Sequence, residues 1–233
     1  MPRLILPALA ALSLLAPSAS AAGPQITDPA NDANFLNGQN FAPEVPNNNT
    51  TPAGNQAYAD VLSVQWTTLK TTKVVKRKRV TTVTGFQVQT KLSAAPTPPD
   101  GTTVVYRMLG TTPLCPYFGV VWYSTPLSDK TAPQSALRDN CNGASTARLT
   151  KLAPPVINGA TMTWTVPLKA IPRDTKVGVG SVLTGLYFTV TEIEDFRGQE
   201  VPAAVPIYGG ATGLGVGIID DSKPGDAVYK IGS

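Results

Sequence analysis

The chain has 233 residues, of which 42% are hydrophobic and 15% are charged, with 20 glycines and 22 prolines. This composition indicates a folded chain with many turns and excludes a disordered one. Histidine is absent, which excludes Ser-His-Asp and Cys-His nucleophile schemes and metal sites with histidine ligands. Any catalysis would therefore rely on carboxylates.

The first residues have the layout of a secretory signal peptide. Arg3 precedes the apolar run Leu4–Leu15, and a small-residue stretch follows with an Ala-Ser-Ala site that ends at Ala21. The apolar run is shorter than the roughly 20 residues that a membrane-spanning helix needs. We therefore predict a signal peptide over residues 1–21 and a secreted, extracellular mature chain without a transmembrane anchor. An uncleaved membrane anchor is the alternative.

Residues 22–59 form a lead-in segment rich in Asn, Pro, Gly and Ala, with little periodicity. We interpret it as a long loop without a helix. Oxygen-bearing side chains are closely spaced at Asp28, Asn31, Asp32 and Asn34. Calcium takes about six to eight oxygen ligands in flexible geometry, so this segment predicts part of a calcium site. The alternative is a cluster of Asx turns in which the side chains bind backbone groups.

From Asp60 onwards, apolar and polar residues alternate with the period of strands that have one buried face. The predicted strands are 60–66, 80–92, 103–109, 117–124, 161–168, 176–183, 186–193 and 227–231. Pro and Gly separate them, and no helical period intervenes. We predict one all-β domain over residues 60–233, an antiparallel β-sandwich of jelly-roll or immunoglobulin-like type with long loops, onto which the lead-in segment packs.

Cys115 and Cys141 are the only cysteines. In an exported protein we expect them to form a disulfide. Such a bridge would contribute about 3 kcal/mol in the chain-entropy account. Two buried free thiols are the alternative.

Basic residues are concentrated in one stretch. Six of the 19 lysines and arginines lie between Lys70 and Arg79, so the rest of the chain is close to neutral. The run 76–79 would attract anionic polymers such as nucleic acid, teichoic acid or acidic glycans. No aromatic residue interleaves with it, and we expect no nucleic-acid partner. The alternative is a hairpin tip kept soluble by charge, or an edge protected from pairing.

Aromatic residues are candidates for a sugar platform, because exposed rings stack on sugar faces. Trp66 and Trp164 share strand faces with apolar residues, which predicts core positions. In the strand 117–124 both faces are apolar, so either Trp122 or Tyr123 turns outward. The candidate ligand-binding residues are Arg107, Tyr117, Trp122 and Tyr123.

Carboxylates near the end of the strand 186–193 offer an enzymatic alternative. Glu192 and Glu194 would project from one strand face, followed by Asp195, and paired acids are the machinery of glycosidases. The alternative is that these acids have no catalytic role and form a solvated strand end beside Arg197.

The segment Asp-Pro-Ala-Asn-Asp-Ala at residues 28–33 precedes the alternating strand 60–66. This arrangement resembles secreted bacterial sandwich modules related to family 9 carbohydrate-binding modules and DOMON domains. The resemblance implies a calcium-binding role for Asp28 and Asp32. A later acidic segment with Asp220, Asp221 and Asp226 leads into the last strand in a similar way. The motifs are short and cover the two chain ends and one strand.

These observations predict a secreted, non-catalytic binding module, stabilised by calcium, that recognises a carbohydrate, a cell-envelope polymer or another extracellular ligand. A second hypothesis is a structural or adhesive cell-envelope protein with no small-molecule site. A third is a carboxylate-dependent glycoside hydrolase.

Overall fold

A computed structural model of the chain describes residues 23–33, 55–98, 103–124, 133–141, 147–195, 214–222 and 225–233. The predicted signal peptide and Asn34 lie outside the described residues. The strands are β1 (Ile26–Thr27), β2 (Val61–Val75), β3 (Lys78–Leu92), β4 (Thr103–Thr112), β5 (Cys115–Tyr123), β6 (Ser135–Asp139), β7 (Arg148–Lys151), β8 (Val156–Asn158), β9 (Thr161–Pro167), β10 (Val182–Asp195), β11 (Leu214–Asp221) and β12 (Tyr229–Lys230).

The strands form two antiparallel sheets, which confirms the predicted all-β sandwich. The first sheet has the order β1-β2-β3-β9-β8, and the second has the order β11-β10-β4-β5-β6-β7, with β12 paired to β10. Short 3-10 turns at Leu168–Ala170 and Arg173–Thr175 follow β9. None of the described helical segments is long and apolar enough to cross a membrane.

The core lies between the inward faces of the two sheets. Trp66 stacks on Phe86 at a centroid distance of 5.5 Å, and Phe86 contacts Phe118 of the opposite sheet at 6.4 Å. Trp66 and Trp164 are both buried, which confirms their predicted core positions. The disulfide between Cys115 and Cys141 is also confirmed, and it ties the start of β5 to the chain just after β6.

The predicted strands 176–183 and 186–193 are wrong as two separate elements, because β10 is one strand that begins at Val182. Lys176 and Gly180 adopt φ angles of 55° and 91°, and a left-handed conformation interrupts an extended chain. Within β10, Gly185 has φ 54° beside a register shift against β4. The glycine therefore forms a bulge inside a continuous strand.

The lead-in segment also contains structure that its composition did not predict. Ile26–Thr27 forms β1, which pairs antiparallel with β2 through Ile26 opposite Val64. Ile26 is buried in the core. This part of the segment therefore belongs to the first sheet.

The hairpin of β2 and β3 extends past the rest of the first sheet. Pairing between the two strands continues to Val75 opposite Lys78, whereas β9 accompanies β3 only as far as Gly85. Every residue from Lys70 to Thr82 is exposed. We call residues 70–82 the β2–β3 arm.

Candidate functional site

A carboxylate cluster lies where three distant segments meet. Asp28 follows β1, Asp60 precedes β2, and Asp220 lies near the end of β11. The pairing of β1 with β2 brings the lead-in segment to the start of β2. The Val61 backbone N–H then donates a 2.8 Å hydrogen bond to Oδ2 of Asp220, which joins the start of β2 to the second sheet.

The carboxylates are close enough to share one cation. Single oxygens of Asp28, Asp32 and Asp220 all lie within 4.8 Å of one another. Asp220 is buried, Asp28 is half-buried and Asp32 is exposed. The set therefore has an inner end in the fold and an outer end open to solvent.

Asp60 lies beside this set and is completely buried. Its Oδ2 accepts hydrogen bonds from the Asn31 backbone N–H at 2.8 Å, Asn55 Nδ2 at 2.9 Å and Ser93 Oγ at 2.6 Å. Its Oδ1 has no hydrogen-bond partner in the described part of the chain. One oxygen thus organises the loop, while the other is a buried acceptor whose lone pairs are unused, which is costly unless a cation or water meets it.

The loop around the cluster is held by asparagines. Asn31 adopts φ 69°, a left-handed conformation that asparagine tolerates well, and its Oδ1 accepts a 3.3 Å hydrogen bond from Asn55. Asn55 Oδ1 accepts one from the Ala33 backbone N–H at 3.1 Å. The Asn31 side chain therefore binds the Asn55 side chain, and Asn55 in turn binds a backbone group of the loop.

The electrostatics of the cluster favour a bound cation. Burial, opposed by the hydrogen bond from Val61 and reinforced by the negative charges of Asp28, Asp32 and Asp60, raises the pKa of Asp220 to about 7. Like charges gathered at low dielectric must be relieved by protonation or by a positive ion. Either a proton on Asp220 or a cation would relieve this repulsion.

The donor set fits calcium. All candidate ligands are oxygens, and carboxylate oxygens are the ligands that hard divalent cations prefer. Asp28, Asp32 and Asp220 would hold the ion, and the buried Asp60 carboxylate is close enough to act on Asp220 electrostatically. Of the four predicted ligands the structure gathers Asp28 and Asp32, and places the Asn31 side chain in the supporting loop. Asn34 lies outside the described residues.

Sequence reasoning missed Asp60 as a member of this site. It appeared only as the first residue of an alternating strand. The sequence showed Asp220 only as part of an acidic segment before the last strand and did not predict that it lies beside Asp28 and Asp32. The position of Asp60 directly before a buried strand, where a charge is unusual, was the available signal.

The predicted ligand platform divides between the two faces of the second sheet. Trp122 is 5% exposed and stacks on Tyr106 inside the sandwich, with ring centroids 5.4 Å apart. It therefore does not belong to an exposed platform. Tyr117 and Tyr123 alternate with the inward residues of β5 and face outward, and Tyr117 is 44% exposed.

Arg107 lies on the same outward face but is largely buried. Its Nη1 donates a 2.8 Å hydrogen bond to Thr191 Oγ1. Burial and the nearby charge of Arg138 lower the pKa of Arg107 to about 10. Tyr187 adds a further half-buried ring near both arginines. Sequence reasoning missed Arg138 and Tyr187, which lie on strands other than those of the predicted residues.

The acids proposed for hydrolysis lie in β10. Glu192 and Glu194 are two residues apart in this strand, and Asp195 ends it. The side chains of all three lie outside what the structure describes.

The comparison with known proteins adds no assignment, because no protein-family model, no curated protein and no solved structure matches the chain.

Proposed function

We propose that this protein is a secreted, non-catalytic binding module whose sandwich is stabilised by calcium. The observation that supports the calcium site is the meeting of Asp28, Asp32 and Asp220 within 4.8 Å, beside the buried Asp60. These residues come from segments far apart in sequence. A cation at this point would therefore fasten the lead-in segment to both sheets at once.

The ion would act on stability and order rather than on bond breaking. It would neutralise charges whose mutual repulsion opposes folding. A ligand that binds only the folded state stabilises it by mass action. Free calcium is available to a protein outside the cell, which agrees with the predicted signal peptide.

For the ligand, we propose a carbohydrate or another extracellular molecule. Tyr117 and Tyr123 share the outward face of β5, and Tyr117 is exposed enough to stack on a sugar. Arg107 lies on the same face of the neighbouring strand β4 and is hydrogen-bonded to Thr191, so it would position this face rather than reach far into solvent.

Thermal unfolding with and without calcium tests the metal proposal. We expect EGTA to lower the Tm of the purified protein and added calcium to restore it. Asp220→Asn should abolish the calcium-induced rise in Tm, because it removes a buried ligand charge. Asp226→Asn, at an exposed acid outside the cluster, is the matched control and should keep the rise. An unchanged Tm after EGTA treatment of the native chain would refute the calcium site.

Retention on a panel of plant, bacterial and storage polysaccharides tests the ligand proposal. The variant Tyr117→Ala/Tyr123→Ala should lose retention on neutral polysaccharides, whereas Leu114→Ala, an exposed residue nearby, should keep it. Absence of retention of the native protein across the panel would exclude a carbohydrate ligand.

A further inference from the structure

The β2–β3 arm has no structural neighbour that explains its length. Its two strands pair with each other from Lys70 opposite Val83 to Val75 opposite Lys78, and no other described strand flanks them there. Six residues at about 3.3 Å each project it roughly 20 Å from the sandwich. An isolated two-stranded hairpin is marginal in water, so an arm of this kind contributes little to the core.

The arm carries a strong positive charge on all sides. Paired residues share a face, so Lys70 and Arg79 lie on one face, Lys73 and Lys78 lie on the other, and Lys76 and Arg77 form the tip. The chain has no acidic residue between Val61 and Pro99. None of the six cations forms an ion pair with a residue that the structure describes.

The two residues at the tip of the arm adopt a left-handed backbone conformation that their side chains disfavour. Lys76 and Arg77 adopt φ angles of 48° and 63°, which are the left-handed values of a two-residue hairpin turn. Asn-Gly is the sequence that suits such a turn best, because side chains beyond Asn are strained there. Two cations at these positions are thus not explained by turn formation, which points to a role in binding.

We propose that the β2–β3 arm is a docking site for an acidic polysaccharide. This inference rests on the proposed binding module and adds to it a second surface, separate from the face of Tyr117 and Tyr123, with an acidic ligand class. Charges on both faces and at the tip suit a flexible chain that wraps the arm, and the field they create concentrates polyanions around it.

The polar residues between the cations favour a sugar polymer. Thr71, Thr72, Thr81 and Thr82 are exposed along the arm, and Thr72 and Thr81 hydrogen-bond to each other across the strands at 2.9 Å. Their oxygens keep capacity to bind sugar hydroxyls, because each hydroxyl offers one donor and two acceptor positions. The arm thus combines cationic and hydroxyl groups, as a polymer with carboxylates and hydroxyls requires.

Two other polyanions fit the arm less well. A flat anionic bilayer would meet only one face, and the exposed valines are divided between faces, with Val74 on one and Val75 and Val80 on the other. Single-stranded nucleic acid is held by aromatic rings that stack on bases, and residues 70–82 contain none.

The arm and the carboxylate cluster can be tested separately. Asp60 directly precedes β2 and Lys70 is the tenth residue of β2, so the two lie about 33 Å apart along the chain. Substitutions in the arm should therefore leave the calcium-induced rise in Tm unchanged.

The test is salt-dependent retention on immobilised polygalacturonate, with neutral dextran, phosphatidylglycerol vesicles and double-stranded DNA as alternative surfaces. The arm variant is Lys76→Asn/Arg77→Gly/Lys78→Thr/Arg79→Thr, which removes four charges while giving the turn its preferred residues. The control variant is Lys91→Thr/Lys151→Thr/Lys169→Thr/Lys230→Thr, which removes four exposed charges elsewhere.

We expect the native protein and the control variant to bind polygalacturonate at low salt and to elute as salt rises, since screening weakens exposed charges. The arm variant should bind at least about tenfold more weakly. Equal binding by the two variants, or no binding by the native protein, would overturn the proposal, as would tighter binding to DNA or vesicles. If the rise in Tm with calcium persists in any of these cases, the calcium site stands and only the arm assignment fails.

Discussion

The backbone N–H of Val61 and Oδ2 of Asp220 are joined by a 2.8 Å hydrogen bond across 159 residues of sequence. This bond connects the first residue of β2 with a residue near the end of β11. It also fixes the Asp220 carboxylate beside Asp28 and Asp32. This long-range hydrogen bond therefore holds three carboxylates close together, and a proton or a cation must relieve the repulsion between their charges.

The first prediction concerns the pH dependence of stability without calcium. The pKa of Asp220 in the folded protein is raised to about 7, mainly by burial. Between the ordinary carboxyl pKa of about 4 and this value, the folded protein binds a proton that the unfolded chain has released. In EGTA, we therefore expect Tm to be higher at pH 5 than at pH 8, with the loss accumulating as pH rises to about 7 and levelling off above it.

Saturating calcium should weaken or reverse this dependence, because the ion replaces the proton and requires ionised ligands. Asp220→Asn should also flatten the curve in EGTA, since an amide cannot titrate yet its oxygen can still accept the Val61 hydrogen bond. The measurement is Tm by calorimetry across the pH series. A native curve in EGTA that rises between pH 5 and pH 8 would contradict the assignment.

Alternating sequences predicted the middle of the first sheet well. Thr161–Pro167 has Met162, Trp164 and Val166 buried on one face, so hydrophobic period and structure agree. The strand β6 was missed because four of its five residues are buried. A short strand covered on both faces loses the alternation on which such a prediction depends.

Burial of both strand faces also explains why the sequence did not decide whether Trp122 or Tyr123 faces outward. Val105, Val121 and Ala136 form a second small buried cluster on the outward face of the second sheet, and Tyr123 packs against it. Both faces therefore read as apolar in the sequence. The carboxylate cluster was only partly predictable for a different reason, since the proximity of Asp28 to Asp220 depends on strand order.

The second prediction concerns the ion pair between Asp139 of β6, which is buried, and Arg148 of β7, whose side chain is 39% exposed. Arg148 donates to both oxygens of Asp139, with Nε at 3.0 Å and Nη2 at 3.1 Å, and Asp139 is buried. Arg148→Ala would leave this buried carboxylate without its partner, and an unsatisfied buried acceptor costs about 1–3 kcal/mol of unfolding free energy. Urea denaturation measures the loss.

The matched control is the exposed carboxylate on the other side of the same guanidinium. Asp174 accepts a 2.8 Å hydrogen bond from Nη1 of Arg148, which lowers the pKa of Asp174. Because the Asp174 side chain is solvated, Asp174→Asn should change stability far less than Arg148→Ala. Equal losses in the two variants would show that burial of Asp139 is not what makes the pair important.

The third prediction concerns the disulfide. Cys115 and Cys141 are 26 residues apart, and the chain-entropy account gives a bridge of this span about 3 kcal/mol. Cys115→Ala/Cys141→Ala should lower the unfolding free energy by about that amount in urea denaturation. The reduced native protein is the control, and its unfolding free energy should fall by a similar amount. A fall seen only in the alanine variant would mean that packing of the sulfur atoms, and not the covalent bridge, supplies the stability.

The fourth prediction concerns a close approach between β4 and β5. Gly119 lies opposite Leu109, and a Cβ atom at Gly119 would overlap the carbonyl oxygen of Met108. Because that oxygen belongs to a neighbouring backbone, Gly119→Ala must push the strands apart, and overpacking of this kind costs about 1–3 kcal/mol. Gly178→Ala is the control, since no heavy atom lies within 4 Å of its Cβ position, and it should alter stability by less than about 0.5 kcal/mol. Urea denaturation separates the two outcomes, and a neutral Gly119→Ala would mean that β4 and β5 can shift without loss of their pairing.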